Sequence, residues 1–279
     1  MSPTKSKKPS SLRRELREQI AKDRSAFLVY SILRVLVLMV LVRSIWIQKW
    51  ENAGICVLAL CLFLIPSFLE RKLKIELPTV LEVIIFLFIF AAEILGEINA
   101  FYIRFPFWDT MLHTVNGFLC AAVGFAMVDI LNQNPKIKFT LSPLYLAVAA
   151  FCFSMTVGVL WEFFEFSADC FVHTDMQKDT ILSSISSVML DPDGGNKAMT
   201  LSGITDVTVN GHDLGLGGYL DIGLFDTMKD LLVNFIGAVV FSVIGYFYVK
   251  RRGKGKLASQ FIPTLQPENK PVSDSESTQ

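Results

Sequence analysis

Residues 108–131, WDTMLHTVNGFLCAAVGFAMVDIL, decide how the rest of the chain is read. The run is long and apolar enough to cross a bilayer as one α-helix, which takes roughly 20 mostly apolar residues. Its first turns nevertheless carry Asp109, His113 and Asn116, spaced so that they share one helical face. Ionisable groups facing lipid are costly, so this face is expected to meet other helices or a cavity. Gly117 and Ala121 add a small-residue spacing that lets a neighbouring helix approach closely.

Five further runs read the same way, at residues 26–47, 54–69, 79–103, 141–168 and 226–249. Composition agrees: 52% of residues are apolar, 23 are Phe, and mean hydropathy is +0.47, more than an ordinary soluble domain carries. The expected fold is all-α, a polytopic transmembrane helical bundle of six spans. Its membrane domain covers residues 26–249, after a basic N-terminal segment at 1–25 and before a disordered tail at 250–279. Residues 11–24 read either as an amphipathic surface helix or as a solvated tail.

The 26 basic and 26 acidic residues cancel, but their placement is uneven. Lys5 to Arg24, then Arg71, Lys72 and Lys74, then Lys136 and Lys138, then Lys250 to Lys256 all fall on one side of a six-span chain. By the positive-inside rule that side is cytoplasmic and holds both termini. The other side receives Arg43, Lys49, Arg104 and a long extracytoplasmic loop at 170–225, acidic through Asp175, Asp179, Asp191, Asp193, Asp206, Asp213 and Asp221. Trp46, Trp50, Tyr102, Trp108 and Trp161 toward the outer ends, and Tyr246 and Tyr248 at the inner end, fit interfacial belts. The expected partner is therefore the lipid bilayer, and this charge pattern points to no nucleic acid. Cys56, Cys61, Cys120 and Cys152 lie within apolar runs and only Cys170 nears water, so they draw no disulfide framework. The long charged lead-in before the first apolar run, and Arg43 where a cleavage site would need small residues, argue against a signal peptide. In the loop, residues 205–214 read as a hairpin around Asn210-Gly211. Asp191-Pro-Asp-Gly-Gly-Asn opens like a calcium loop, but its twelfth position is Ser202 rather than Glu, so a turn is expected.

Acidic residues converge. The third span carries Glu93 and Glu97, the fourth Asp109 with His113 and Asn116, the fifth Glu162, Glu165 and Asp169, and the sixth Asp226, Asp230 and Asn234. With the orientation above, all four sets reach the outer part of the bilayer and can line one pocket. Asp109-Thr-Met-Leu-His and Asp226-Thr-Met-Lys-Asp also repeat one another, which reads as two parallel hairpins, spans three and four and spans five and six, with His113 matching Asp230. Simpler roles stand beside these. Asp109 and Asp226 suit helix N-caps. Glu97, Asp129 and Asp169 suit a water boundary, Arg34 either pairs with Glu82 or snorkels, and Ala238 with Ser242 suits close packing.

Trp108-Asp-Thr-Met-Leu-His with Asn116-Gly-Phe, Leu160-Trp-Glu-Phe-Phe-Glu, and Tyr219-Leu-Asp-Ile-Gly-Leu-Phe-Asp-Thr-Met-Lys-Asp together resemble the YjdF-like bacterial membrane proteins. The similarity covers roughly spans three to six. It implies a multi-pass protein of the bacterial inner membrane and brings no reaction with it. The Asp-x-x-x-His opening also resembles VanZ-like membrane proteins, over five residues only.

Three functions stay open. Glu93, Asp109, His113, Glu162, Glu165, Asp226 and Asp230 suit an outward-facing site for a divalent cation, zinc, manganese or magnesium. With His113 and Glu162 as catalytic ligand or base, such a site would hydrolyse a lipid or cell-envelope ester or phosphoester. Against this, the chain has no HExxH motif. The same acids would serve a cation- or proton-coupled transporter. The third reading is a structural or partner-binding protein whose acids cap helices and anchor the loop.

Overall fold

The structure, a computed structural model, describes residues 24–73, 75–132, 141–251 and 258–265. The amphipathic reading of residues 11–24, the basic clusters around Lys136 and Lys254, and the tail beyond 265 lie outside the described residues apart from Arg24.

Six helices are long and apolar enough to cross a membrane: Ser25–Trp46, Trp50–Lys72, Thr79–Ile98, Trp108–Asn132, Pro143–Val172 and Leu224–Lys250. They are spans one to six, and the chain is a six-span all-α membrane protein. Span two is longer than its apolar core. It consists of Trp50–Leu62 and Ile65–Leu73, broken where Pro66 can offer no N–H to the Leu62 carbonyl. Span three ends sooner than expected. Thr79–Ile89 is α-helical, Phe90–Ile98 is a π-helix, and Ala100, at φ 56°, turns the chain into the separate short helix Phe101–Arg104. Span five starts on Ser142, whose Oγ accepts from the Tyr145 N–H at 3.2 Å, with Pro143 in the first turn. Its 30 residues reach about 45 Å, against a hydrocarbon thickness of about 30 Å. Glu162, Glu165 and Asp169 lie toward its C-terminal end.

Spans four, five and six pack on one another most extensively, and spans one and two join them by way of span three. Span three contributes Leu81 to the core of the first group, with Leu119, Phe125, Leu146 and Phe241, and Phe86 to the second, with Val37, Cys56 and Phe63. Spans four and six touch backbone to backbone. A Cβ on Gly117 would stand 2.1 Å from the Asn234 carbonyl oxygen, and one on Gly237 would stand 2.0 Å from that of Thr114. Ser154 of span five donates to the Gly117 carbonyl at 2.7 Å.

Arg34 donates to the Tyr30 hydroxyl at 2.5 Å and lies over its ring. Part of the tail expected to be disordered is folded: Ala258–Gln260 forms a 3-10 turn, Ile262 is buried, and Thr264–Leu265 pairs antiparallel with Ile75–Glu76. The reason is the apolar pair Phe261-Ile262, which joins the core of the first group, with Phe261 edge-on to Phe118 at 5.3 Å. The loop between spans five and six holds three small antiparallel pairings: Ile181–Leu182 with Tyr219–Leu220, Ser184–Ser187 with Met199–Ser202, and Thr208–Val209 with His212–Asp213. The last closes on Asn210 and Gly211, both at positive φ, as a two-residue hairpin turn requires. The Asp191 carboxylate accepts from the Asp193 and Gly195 N–H groups at 3.2 and 3.1 Å, so that segment is a turn.

Candidate metal centre

At the loop end of spans four to six the apolar packing gives way to charge. Span four brings His113, only 8% exposed, one turn below Asp109; span six brings Asp230, 1% exposed, one turn below Asp226; span five brings Glu162, 4% exposed, and Glu165. The two imidazole nitrogens face different partners. Nε2 lies 3.5 Å from Asp109 Oδ1 and 3.8 Å from Asp230 Oδ2, while Nδ1 lies 3.9 Å from Glu162 Oε1. Two groups with ligand atoms close enough to share an ion follow, Asp109 with His113 and Asp230, and His113 with Glu162 and Glu165. Ligand atoms at 2.0–2.2 Å from one ion lie within about 4.4 Å of each other, and the 3.5 and 3.8 Å separations at Nε2 fall inside that limit.

The polar atoms here are incompletely satisfied. Among the described residues, Glu162 Oε2 and Asp230 Oδ1 are buried without a hydrogen-bond partner. Glu165 accepts from the Trp161 indole N–H at 2.9 Å. Below the cluster Asn234 forms the floor, with its Oδ1 3.4 Å from Asn116 Nδ2 and Gly158 leaving room for its amide.

Of the residues singled out from sequence, Asp109, His113, Glu162, Glu165 and Asp230 converge. Asp226 stands one turn above, outside both three-ligand groups. Its Oδ1 accepts from Lys229 Nζ at 2.9 Å and its Oδ2 from the Lys178 N–H at 2.8 Å. Glu93 is half-buried on the π-helix, also outside both groups, and Glu97 is exposed. Tyr102, packed against Gly96, lies in the field of Glu97, Asp109, Glu93 and Glu165 and links the two sides. The Trp108 indole donates to the Ala91 carbonyl at 3.3 Å and ties the π-helix to the start of span four.

Lys229 was not foreseen. Its ammonium spans the mouth of the site, 2.9 Å from Asp226, 3.8 Å from Asp230 and 3.9 Å from Asp109, with its side chain 43% exposed. The available signal was its position, one residue before Asp230 and three after Asp226. The N-cap role expected of Asp226 goes elsewhere. Gly223 stands at the N-cap with φ 96°, and Asp221 supplies the side chain, accepting from the Phe225 N–H at 2.8 Å and the Gly223 N–H at 3.2 Å. Partial burial alone would raise the Asp221 pKa, but the N–H groups of Thr180, Phe225 and Gly223 outweigh it and hold the carboxylate below its usual range.

The segment after span five straps across this end. His173, at φ 60°, ends the helix. Asp169 then accepts from the Met176 and Gln177 N–H groups at 2.7 and 2.8 Å, and Asp221 from Thr180 N–H at 2.8 Å. The Gln177 amide donates to Thr227 Oγ1 at 2.5 Å, and both side chains lie beside Glu162.

Residues 29–251 match a family model described as "Predicted membrane protein (DUF2238)". The match takes in most of the chain, including spans one and two, beyond the reach of the motifs quoted from sequence. No curated protein and no solved structure matches. The chain belongs to this family of membrane proteins, in agreement with its resemblance to the YjdF-like proteins.

Proposed function

We propose that this member of the family binds one divalent cation, zinc, manganese or magnesium, on the Nε2 side of His113, with Asp109 and Asp230 as the carboxylate ligands. The observation that carries this reading is the convergence of Asp109 Oδ1 and Asp230 Oδ2 on Nε2 of the buried His113 imidazole, at 3.5 and 3.8 Å. Five carboxylates, Asp109, Glu162, Glu165, Asp226 and Asp230, surround Lys229 and His113, and a dication would offset part of the excess negative charge. The Nε2 side is favoured because two carboxylates approach it and one approaches Nδ1. Glu162 Oε1, 3.9 Å away, then accepts from the Nδ1–H and fixes the ring, the usual arrangement behind a metal-ligating histidine.

A cation with three protein ligands keeps a position open for water or for a substrate oxygen, which is the chemistry of hydrolysis. We extend the reading to an ester or phosphoester of a lipid or envelope component, reached from the loop end at the membrane boundary. The basic residues flanking the spans support a bacterial inner-membrane location with both termini cytoplasmic and this site facing outward. The correspondence of His113 with Asp230, now 3.8 Å apart, supports the two-hairpin repeat. Transport draws less support, because below Asn234 the three spans are filled by Leu119, Ala122, Phe125 and Phe241.

Elemental analysis of detergent-purified protein loaded with each ion and dialysed tests the proposal. About one ion per wild-type chain is expected, lost in His113→Ala and Asp230→Asn and bound roughly 10–100-fold more weakly in Glu162→Gln. A wild-type chain that retains none of the three ions overturns it.

A further inference from the structure

At the basic end, spans five and six leave a furrow between them. Its floor is made of small residues, Ala147 and Ser242, both buried, and its walls of larger apolar side chains, among them Val148 and Val243. The furrow has a volume of about 530 Å³. Toward mid-membrane it is closed by Phe151 and Phe235, edge-to-face at 5.3 Å. From Phe235 to Phe247 it runs about 18 Å along span six, close to the depth of one leaflet's hydrocarbon, half of roughly 30 Å.

Its open end is marked by charge. Tyr246 and Phe247 line the furrow, and each carries a cation on its ring: Lys250 Nζ lies 5.3 Å from the Tyr246 centroid and 3.3 Å from its hydroxyl, and Arg251 Cζ lies 5.8 Å from the Phe247 centroid. Both side chains belong to exposed residues, and among the described residues neither faces a carboxylate. Two cations held by the aromatic walls of an apolar slot one leaflet deep match the two ends of one ligand class.

We propose that this furrow holds an acyl chain of an anionic phospholipid, with the phosphate on Lys250 and Arg251. The chain fills the slot down to the Phe151 and Phe235 rings. The headgroup charge supplies the selectivity, because the slot itself offers an acyl chain little that bulk lipid does not. The site stands on the opposite half of the bundle from His113 and does not depend on a metal.

The test is native mass spectrometry of the full chain released from nanodiscs containing equal phosphatidylglycerol and phosphatidylcholine. Wild type is expected to retain one phosphatidylglycerol, at least five-fold over phosphatidylcholine. Lys250→Gln with Arg251→Gln is expected to lose that preference. Val243→Trp, which fills the slot from an exposed wall position and leaves the buried packing alone, is expected to lose retention of both lipids. Equal retention of the two lipids by wild type, unchanged preference in the double variant, or a wild-type dimer that Val243→Trp dissolves would each overturn the proposal. The last would assign the furrow to a second copy of this chain.

Discussion

The two ends of spans four, five and six use the same helices to opposite purposes. At the basic end the facing positions are Leu119, Ala122, Phe125, Leu146, Ala150 and Phe241, a close-packed apolar core. At the loop end they are His113, Glu162, Glu165, Asp230 and Asn234, equally buried. The boundary falls where Gly117 meets the Asn234 carbonyl and Gly237 meets that of Thr114, so one backbone contact sets the helix spacing for both ends. Helix association therefore does not explain the charges. Apolar residues of similar volume would hold the spans as well or better, and two of the carboxylate oxygens present lack hydrogen bonds. The difference teaches that the loop end gives up packing stability that the basic end keeps.

Four substitutions press on this contrast. Gly237→Val has the largest expected effect, because a Cβ 2.0 Å from a backbone oxygen forces spans four and six apart. Both ends fail together, seen as loss of the monodisperse peak in detergent and of any bound cation. Phe241→Ala, fully buried, is expected to lower unfolding stability by about 3–5 kcal/mol while leaving cation stoichiometry untouched. A parallel fall in bound cation would show that the two ends are not separable. Glu162→Gln is expected to act in the opposite sense on cation-free protein, raising thermal stability by about 1 kcal/mol as a buried carboxylate with one unsatisfied oxygen is replaced by a neutral amide. A fall in its melting temperature would mean that the loop end carries the fold after all. Ser154→Ala, which deletes one bond across the boundary at Gly117, is expected to cost only about 0.6 kcal/mol.

Much of this contrast is legible in the chain itself. The spans follow from hydropathy, and the convergence of His113, Glu162 and Asp230 follows from helical periodicity once the helices alternate in direction. The Asn210-Gly211 hairpin was legible because its turn chemistry is local. What escaped reading depends on contacts across long separations. The π-helix at Phe90–Ile98 carries no signature in its residues, yet it changes where Glu93 and Glu97 stand. Lys229 has no marked role in the sequence pattern, and its part shows only where three carboxylates from spans four and six surround it. Phe261-Ile262 was an apolar pair in a polar tail, and only the packed core shows that it has somewhere to go.

The strap after span five places a reporter on the site. The backbone N–H groups of Met176 and Gln177 are bound by Asp169, that of Lys178 by Asp226, and that of Thr180 by Asp221. These amides lie in a loop, where deuterium uptake is ordinarily fast, yet each is held by a carboxylate and exchanges only when the strap lifts. Asp226 also holds Lys229, which in turn leans on Asp109 and Asp230. The proposed cation would draw those two carboxylates toward His113 and leave Lys229 to Asp226, and the grip on Lys178 would change with it. Isotope exchange at that one peptide group would thus register occupancy of a centre buried beneath it, without any label on the centre itself.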